Sequence, residues 1–304
     1  MPSVSSLEEA SIALAAAHAE GRRIQIGDDL TTGGLNRILE YDHGDLTCTV
    51  EAGVRLSALR ATLAASGQRL SLDPPSDPTV GALLARNVSG PLRHRFGAPR
   101  DLVLGVTLVL ADGTVANSGG KVVKNVAGYD LARLVCGSEG RVALIARASF
   151  KLHPLPKATR TLVVETDDTA AVALRLVGSQ LQPSALDILH PGRVTVLFEG
   201  SERAVAAQLV SAQTLVGGEE SDAAVWEESR SRQAAARSRM RFAPGDLARQ
   251  LESFDEAVVR VSSGVAYVAH DLPDRGSQGD GARPGELLFA RITRELDPQG
   301  ILAA

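Results

Sequence analysis

Residues 119–140 read GGKVVKNVAGYDLARLVCGSEG. Glycine fills five of these twenty-two positions, beside Lys121, Lys124, Asn125 and the pair Tyr129-Asp130. Glycine is costly in a packed core because it loses the most backbone entropy on folding, and its usual role is to let backbone approach something closely. The stretch follows an apolar run at 103–110, VLGVTLVL, and a turn at Ala111-Asp112-Gly113. A strand that delivers a glycine-rich segment suggests a wall of backbone beside a phosphate-bearing cofactor.

The common single-loop phosphate sites do not match. No G-x-G-x-x-G follows a strand and opens a helix, which excludes a Rossmann fingerprint. Gly120-Lys121 lacks the P-loop glycine five positions earlier, where Val115 stands, and no Ser or Thr follows the lysine. What is left is an anion site built from several loops, each offering backbone N–H groups. The proline-rich loop around Pro74–Gly81, the basic segment Gly90–Arg100 and the quoted stretch have suitable compositions.

The totals narrow the class. The chain has 304 residues, 44% hydrophobic and 22% charged, which suits a large domain or two smaller ones with real cores. A net charge of -4 argues against general attraction to nucleic acid or membrane surfaces, and 3% aromatic residues leave little for base stacking. No apolar run is long enough for a membrane span, and no secretory signal precedes the first helix. Two distant cysteines, Cys48 and Cys136, suggest neither a disulfide framework nor a zinc site, so the expected location is cytoplasmic and no metal is expected.

Local signals place the elements. Ser6 caps a helix that runs to Glu20 and stops at Gly21; a second helix covers 57–66, and residues 79–88 have helical spacing. Alternating runs at 46–52 and 141–152 read as strands. His153-Pro154-Leu155-Pro156 breaks the chain, and the expected division is 1–156, 157–270 and 271–304. The middle part reads as strand-helix-strand-strand-helix, followed by an arginine-rich helix over 226–241 with a solvated or partner-facing surface, then one or two strands over 257–269. Residues 272–284 read as a loop and 286–296 as a closing helix.

Several of these segments together resemble a known family. Val50-Glu51-Ala52-Gly53-Val54, Leu72-Asp73-Pro74-Pro75, Thr79-Val80-Gly81, Ser89-Gly90-Pro91, Arg95-Phe96-Gly97, Arg100-Asp101, Leu104-Gly105, Lys124-Asn125-Val126-Ala127-Gly128-Tyr129-Asp130-Leu131 and Gly137-Ser138-Glu139-Gly140 follow one another in order. Over residues 36–156 the chain resembles the FAD-binding domain of the vanillyl-alcohol oxidase / p-cresol methylhydroxylase (PCMH) superfamily, and within it the FAD-binding subunits of glycolate oxidases. The resemblance implies an α+β fold: a PCMH-type FAD-binding domain of two α+β subdomains, then a small α+β cap, with the closing helix packed back on the first domain. It also implies non-covalent FAD held largely by main-chain groups. Pro75, Thr79, Val80 and Gly81 would face the pyrophosphate, with Ser89 and Gly90 nearby. Arg100, Asp101 and Gly105 would border the adenosine half, and Gly137, Ser138 and Gly140 would pass close to the flavin. Lys124 and Asn125 would be polar neighbours of the cofactor.

The implied activity is oxidation of glycolate or a related small 2-hydroxy acid to the 2-oxo acid. The implied partners are a sister flavin subunit and an iron–sulfur subunit of a glycolate oxidase-type complex. One departure bears on the cofactor. The superfamily's first phosphate loop is missing here, because Gly27-Asp28-Asp29-Leu30 runs almost directly into Gly33-Gly34. The residues identify no catalytic base, since His190 and His270 stand alone. An FAD-free structural subunit and a self-contained flavin oxidoreductase both stay open on the sequence.

Overall fold

The computed structural model describes residues 3–120, 130–272 and 284–303. Helix α1 (Leu7–Glu20) starts where Ser6 Oγ accepts the Glu9 amide and ends where Gly21 turns left-handed at φ 62°. Strands β1 (Ile24–Gln25), β2 (Ile38–Asp42) and β3 (Thr47–Glu51) follow, then α2 (Leu56–Ala64) and β4 (Gln68–Arg69). Three short helices come next: α3 (Val80–Arg86), α4 (Arg93–Phe96) and α5 (Pro99–Leu102). They lead to β5 (Val103–Val109), β6 (Val115–Gly119), α6 (Leu131–Val135), β7 (Leu144–Lys151) and β8 (His153–Pro154).

Strands β2-β3-β7-β5-β6 form one antiparallel sheet in that order. Its core gathers Val50, Leu59, Leu83, Leu84, Leu108 and Phe150. A smaller core sets Leu14, Ile24, Leu30 and Leu144 beside Ile301 and Leu302.

The second half is a separate sheet. It runs through β9 (Ala158–Glu165), α7 (Thr169–Val177), β10 (Ala185–His190), β11 (Arg193–Gly200), α8 (Glu202–Val216), β12 (Glu219–Ser221), α9 (Ala224–Ala235), β13 (Ser238–Arg241), α10 (Leu247–Leu251), β14 (Ala257–Arg260) and β15 (Val265–Val268). The order β12-β9-β11-β10-β14-β15-β13 is antiparallel throughout. Helices α7, α8 and α10 cover one face, burying Leu176, Val205 and Leu251 against Ile188, Val196 and Val259. Trp226 of α9 lies on the other face with Leu189 and Val258, its indole N–H donating to Thr161 Oγ1 at 3.0 Å. This arrangement is a cap of the expected α+β kind.

Helix α11 (Pro284–Leu296) brings Phe289 and Leu296 onto the first core, and β16 (Leu302–Ala303) pairs in parallel with β1. One expectation changes. The arginine-rich helix ends at Ala235 rather than at 241, and Ser238–Arg241 is an edge strand. The Arg237 amide already donates to Val268 O at 3.0 Å, so pairing with β15 overrides the helical preference of the local sequence.

Candidate functional site

Helix α3 is the hub of the expected cofactor residues. Thr79 caps it, Oγ1 accepting the Ala82 amide at 3.3 Å. The Val80 amide donates to Val54 O at 2.9 Å and the Gly81 amide to Ala52 O at 2.7 Å. These first-turn donors, the ones a helix normally offers to an anion, are therefore engaged by the turn after β3. At the other end Asn87 turns left-handed at φ 49°, and its Oδ1 accepts the Arg100 amide at 3.3 Å. The Gly137 amide donates to Leu84 O at 3.0 Å and the Glu139 amide to Ala85 O at 2.9 Å. One short helix thus joins Thr79–Gly81, Arg100 and Gly137–Gly140.

Backbone geometry explains the glycines of the last loop. Gly137, Glu139 and Gly140 have φ of 86°, 55° and 82°, a region side chains rarely adopt. Gly137 is exposed, with Asn87 Cβ, 3.7 Å away, the nearest atom to where its own Cβ would stand. It borders a cavity of about 930 Å³ lined by Arg141, Phe289, Thr293, Arg294 and Asp297 among others. Arg141 lies over the Phe289 ring at 5.1 Å, and Thr293 Oγ1 is buried without a hydrogen-bond partner. An open glycine wall, two guanidinium groups and an unpaired hydroxyl fit a phosphate-bearing cofactor.

The other expected residues lie apart from this cavity. Ser89 and Gly90 are buried where the two sheets meet. Asp101 Oδ2 accepts the Ala98 amide at 2.8 Å. Gly105 pairs with Gly119 across β5 and β6 beside a small cavity of about 110 Å³. Pro75 borders a cavity of about 610 Å³ between the sheets, with Arg60, Arg69, Asp73 and Arg230. Lys124 and Asn125 lie outside the described residues. The remnant first loop closes on itself. Gly27 N–H donates to Leu30 O, and the Asp28 and Asp29 amides both donate to Gln25 O. Asp29 in turn accepts the Gln25 amide at 2.8 Å.

The junction between the sheets is polar and buried, which the sequence did not reveal. Arg69 makes a bidentate pair with Glu199 at 2.7 and 2.6 Å. Arg260, only 2% exposed, lies 3.6 Å from Asp187 and donates to Gln233 Oε1 at 2.7 Å. Gln233 donates to Ser89 O at 2.9 Å. Arg230 and Arg232, expected on a solvated or partner-facing surface, are largely covered within the chain itself: Arg230 lies 3.8 Å from Asp73, and Arg232 lies 2.7 Å from Glu228. The signal for this burial was available only as Asp73 and Ser89 in the family-like segments.

Asp73 is the unusual carboxyl of this junction. Its side chain is 14% exposed and accepts the Leu92 amide at 3.0 Å. Burial pushes its pKa up to about 7, against the pull of Arg260, the Leu92 N–H and Arg230. Between about pH 4 and pH 7 the folded state therefore holds a proton that the unfolded state has lost, so this group's contribution to stability falls as pH rises through that window. Asp73→Asn keeps the acceptor and removes the charge. It is expected to match the parent's thermal stability near pH 4 and to exceed it by a few kcal/mol at most near pH 8. Thermal melts of both proteins across that range check this, and parallel curves would refute it.

Groups suited to acid–base chemistry are few. His190 Nε2 lies 2.9 Å from Phe254 O. Burial raises the Cys48 and Cys136 thiols to about 12, which makes them poor nucleophiles. Burial, then Lys151 and the nearby arginines, lower His153 to about 4. Among the described residues no group of three or more His, Cys, Asp or Glu side chains is placed to hold a metal ion, and no helix is long and apolar enough to cross a membrane.

Comparison with known proteins agrees with this frame. Residues 29–119 match a family described as FAD binding domain. The chain is 35% identical over 201 residues to glycolate oxidase subunit GlcE of Escherichia coli, covering 64% of this chain and 56% of that protein. It is 35% identical over 168 residues to glycolate oxidase subunit GlcD of Bacillus subtilis, covering 54% and 36%. It is 31% identical over 179 residues to a mitochondrial D-lactate dehydrogenase of Saccharomyces cerevisiae, covering 57% and 30%. The matches thus span between about a third and just over half of these relatives' lengths. A solved alkyldihydroxyacetonephosphate synthase aligns with 99% of this chain and 74% of its own at a TM-score of 0.72 and 17% identity, a likeness of fold. Residues 29–119 are thus an FAD-binding domain, the chain has the PCMH-type α+β fold, and its cofactor is FAD.

Proposed function

We propose that the chain is the FAD-binding subunit of a glycolate oxidase-type complex, in which glycolate or a related 2-hydroxy acid is oxidised to the 2-oxo acid. The observation that carries this reading is the 35% identity to GlcE across 201 residues. FAD, when bound, supplies the acceptor for the two electrons released with two protons as the alcohol becomes a carbonyl.

The chain's own residues bind and position. Gly137 keeps a side chain away from the cofactor face, and Arg141 and Arg294 supply positive charge to its phosphates. Ser89, Gly90, Arg100, Asp101 and Gly105 belong to the frame that fixes the loops around α3, with Pro75 and Thr79–Gly81 at its far end. Helix α11 and the turn after it, through Phe289, Thr293, Arg294 and Asp297, form the opposite side of the cavity beside Gly137. Electrons leave to a sister flavin subunit and an iron–sulfur subunit of the complex, in the cytoplasm.

The test is expression with excess flavin, with and without those partner subunits. Flavin absorbance that co-purifies with the chain and is bleached anaerobically by glycolate in the complex is the expected result. A folded chain that carries no flavin in either setting would sink the proposal. Bleaching by glycolate in the isolated chain would instead make it a self-contained enzyme.

A further inference from the structure

The cavity beside Gly137 has two walls from distant parts of the chain. Gly137 and Arg141 form one, and the residues facing them belong to the segment from α11 to β16. That segment touches the body at few places. Phe289 lies beneath the Arg141 guanidinium at 5.1 Å and packs with Leu296 against the first core, while Leu287 and Leu288 are exposed. After the helix, the two oxygens of buried Asp297 accept the Ile301 and Leu302 amides at 2.9 and 2.8 Å. The turn so formed lays β16 along β1, where the Ile24 amide donates to Ile301 O at 2.7 Å. Ile301 and Leu302 are buried there with Leu14 and Ile24.

The other wall is tied to the same strand. A Cβ on Gly140 would stand 3.1 Å from the Ile26 Cβ, so the 137–140 loop rests on the residue that follows β1. The spacing of the walls therefore depends on the pairing of β16 with β1, which covers two residues on each strand. A segment held by so few contacts opens locally without global unfolding.

Charge bears on the same closure. Among the described residues Arg294 has no carboxylate within ion-pair distance, and Arg141 lies 3.8 Å from an exposed Glu139. The one acid among the described lining residues is Asp297, whose oxygens the Ile301 and Leu302 amides already hold. Cations on facing walls resist closure, whereas a dianion between them would draw the walls together through charge-assisted hydrogen bonds.

We propose that the α11–β16 segment is a clasp on the cofactor: the FAD diphosphate bridges Arg141 and Arg294, and closing of the segment and binding of FAD are one linked equilibrium. The clasp rests on the reading of this cavity as the cofactor site, and not on the oxidation of any substrate. Linkage is reciprocal, so FAD holds the segment shut and the docked segment holds FAD.

Hydrogen exchange on the full-length chain, with FAD and with riboflavin, tests this. With free FAD about a hundredfold above its Kd, the amides of 289–296 and of Ile301 and Leu302 are expected to exchange about a hundredfold more slowly. Riboflavin, which carries no phosphate, is expected to leave them unchanged. Arg294→Gln, at an exposed position, is expected to weaken FAD at least about tenfold while the flavin-free chain melts as the parent does. Leu302→Ser, outside the cavity, is expected to speed exchange in α11 and to weaken FAD as well. Bound FAD without slower exchange in α11, equal protection by riboflavin, or Arg294→Gln binding FAD as the parent does would each overturn the clasp. Protection by FAD in a chain that glycolate never bleaches, alone or in the complex, would uphold the clasp while sinking the oxidase reading. Bleaching by glycolate without slower exchange in α11 would do the reverse.

Discussion

Arg260→Ala is expected to lower stability by about 3–5 kcal/mol, the usual consequence of removing one partner from a buried charged pair. Arg260 is 2% exposed and Asp187 is fully buried. Asp187 also accepts the Ser229 hydroxyl at 2.6 Å, yet its other oxygen has only the guanidinium, 3.6 Å away. Burial already raises the Asp187 pKa, and Arg260 is the main influence holding it down. Without Arg260 the carboxyl is left in an apolar layer with Val258 and Leu189, and Gln233 loses its 2.7 Å donor. Because Arg260 Nη1 also reaches Ser89 O at 3.4 Å, the loss spreads to the contact between the cap and the first domain. Chemical denaturation should show the destabilisation. Replacing both partners together, Arg260→Met with Asp187→Leu, should recover much of it, since no buried charge is then left unpaired. A single variant within about 1 kcal/mol of the parent would show that the pair carries little of the junction.

Gly90→Ala should be nearly as severe for a different reason. A Cβ on Gly90 would stand 1.7 Å from Asp73 O and 2.6 Å from Asp73 C, and both are backbone atoms that cannot rotate away. Relief requires moving the 73–75 loop or the 88–92 loop, and the second of these carries the Ser89 carbonyl that Gln233 and Arg260 hold. Overpacking of this kind costs about 3 kcal/mol or more. The variant is expected to be poorly soluble or to melt several degrees lower, with weakened flavin retention. Gly120→Ala is the contrasting control: nothing among the described residues lies within 4 Å of its Cβ position, and its effect should stay within about 1 kcal/mol. Equal melting temperatures for the two variants would remove the argument.

Features written in short-range chemistry were legible in the sequence. Ser6 and Gly21 mark α1 because an N-cap hydroxyl and a left-handed C-terminal glycine act within one turn. Gly137 and Gly140 reveal a special loop because their φ values are ones that other residues avoid. The ordered series from Val50 to Gly140 was enough to identify the FAD-binding fold, and residues 29–119 match an FAD binding domain.

Long-range partnership was not legible. Residues 24–25 and 302–303 pair across nearly the whole chain, and two-residue strands carry no periodicity. Ser238–Arg241 has helix-forming neighbours and becomes a strand only because Val265–Val268 offers an edge. The arginines near 230 looked solvated or partner-facing because their partners, Asp73 and Glu256, are distant in sequence.

The sequence by itself therefore determined the fold class, the cofactor and the glycine-lined loop that opens beside Arg141. Local backbone rules and an ordered series of loop motifs are sufficient for those. Only the tertiary structure decided that the Val80 and Gly81 amides are engaged by Val54 and Ala52 rather than free. It alone decided, too, that Arg260 of the cap lies beside Asp187 and reaches the Ser89 carbonyl of the first domain. Both depend on which distant backbone or charge comes to lie within a few ångströms, and that is a property of packing that no local pattern encodes.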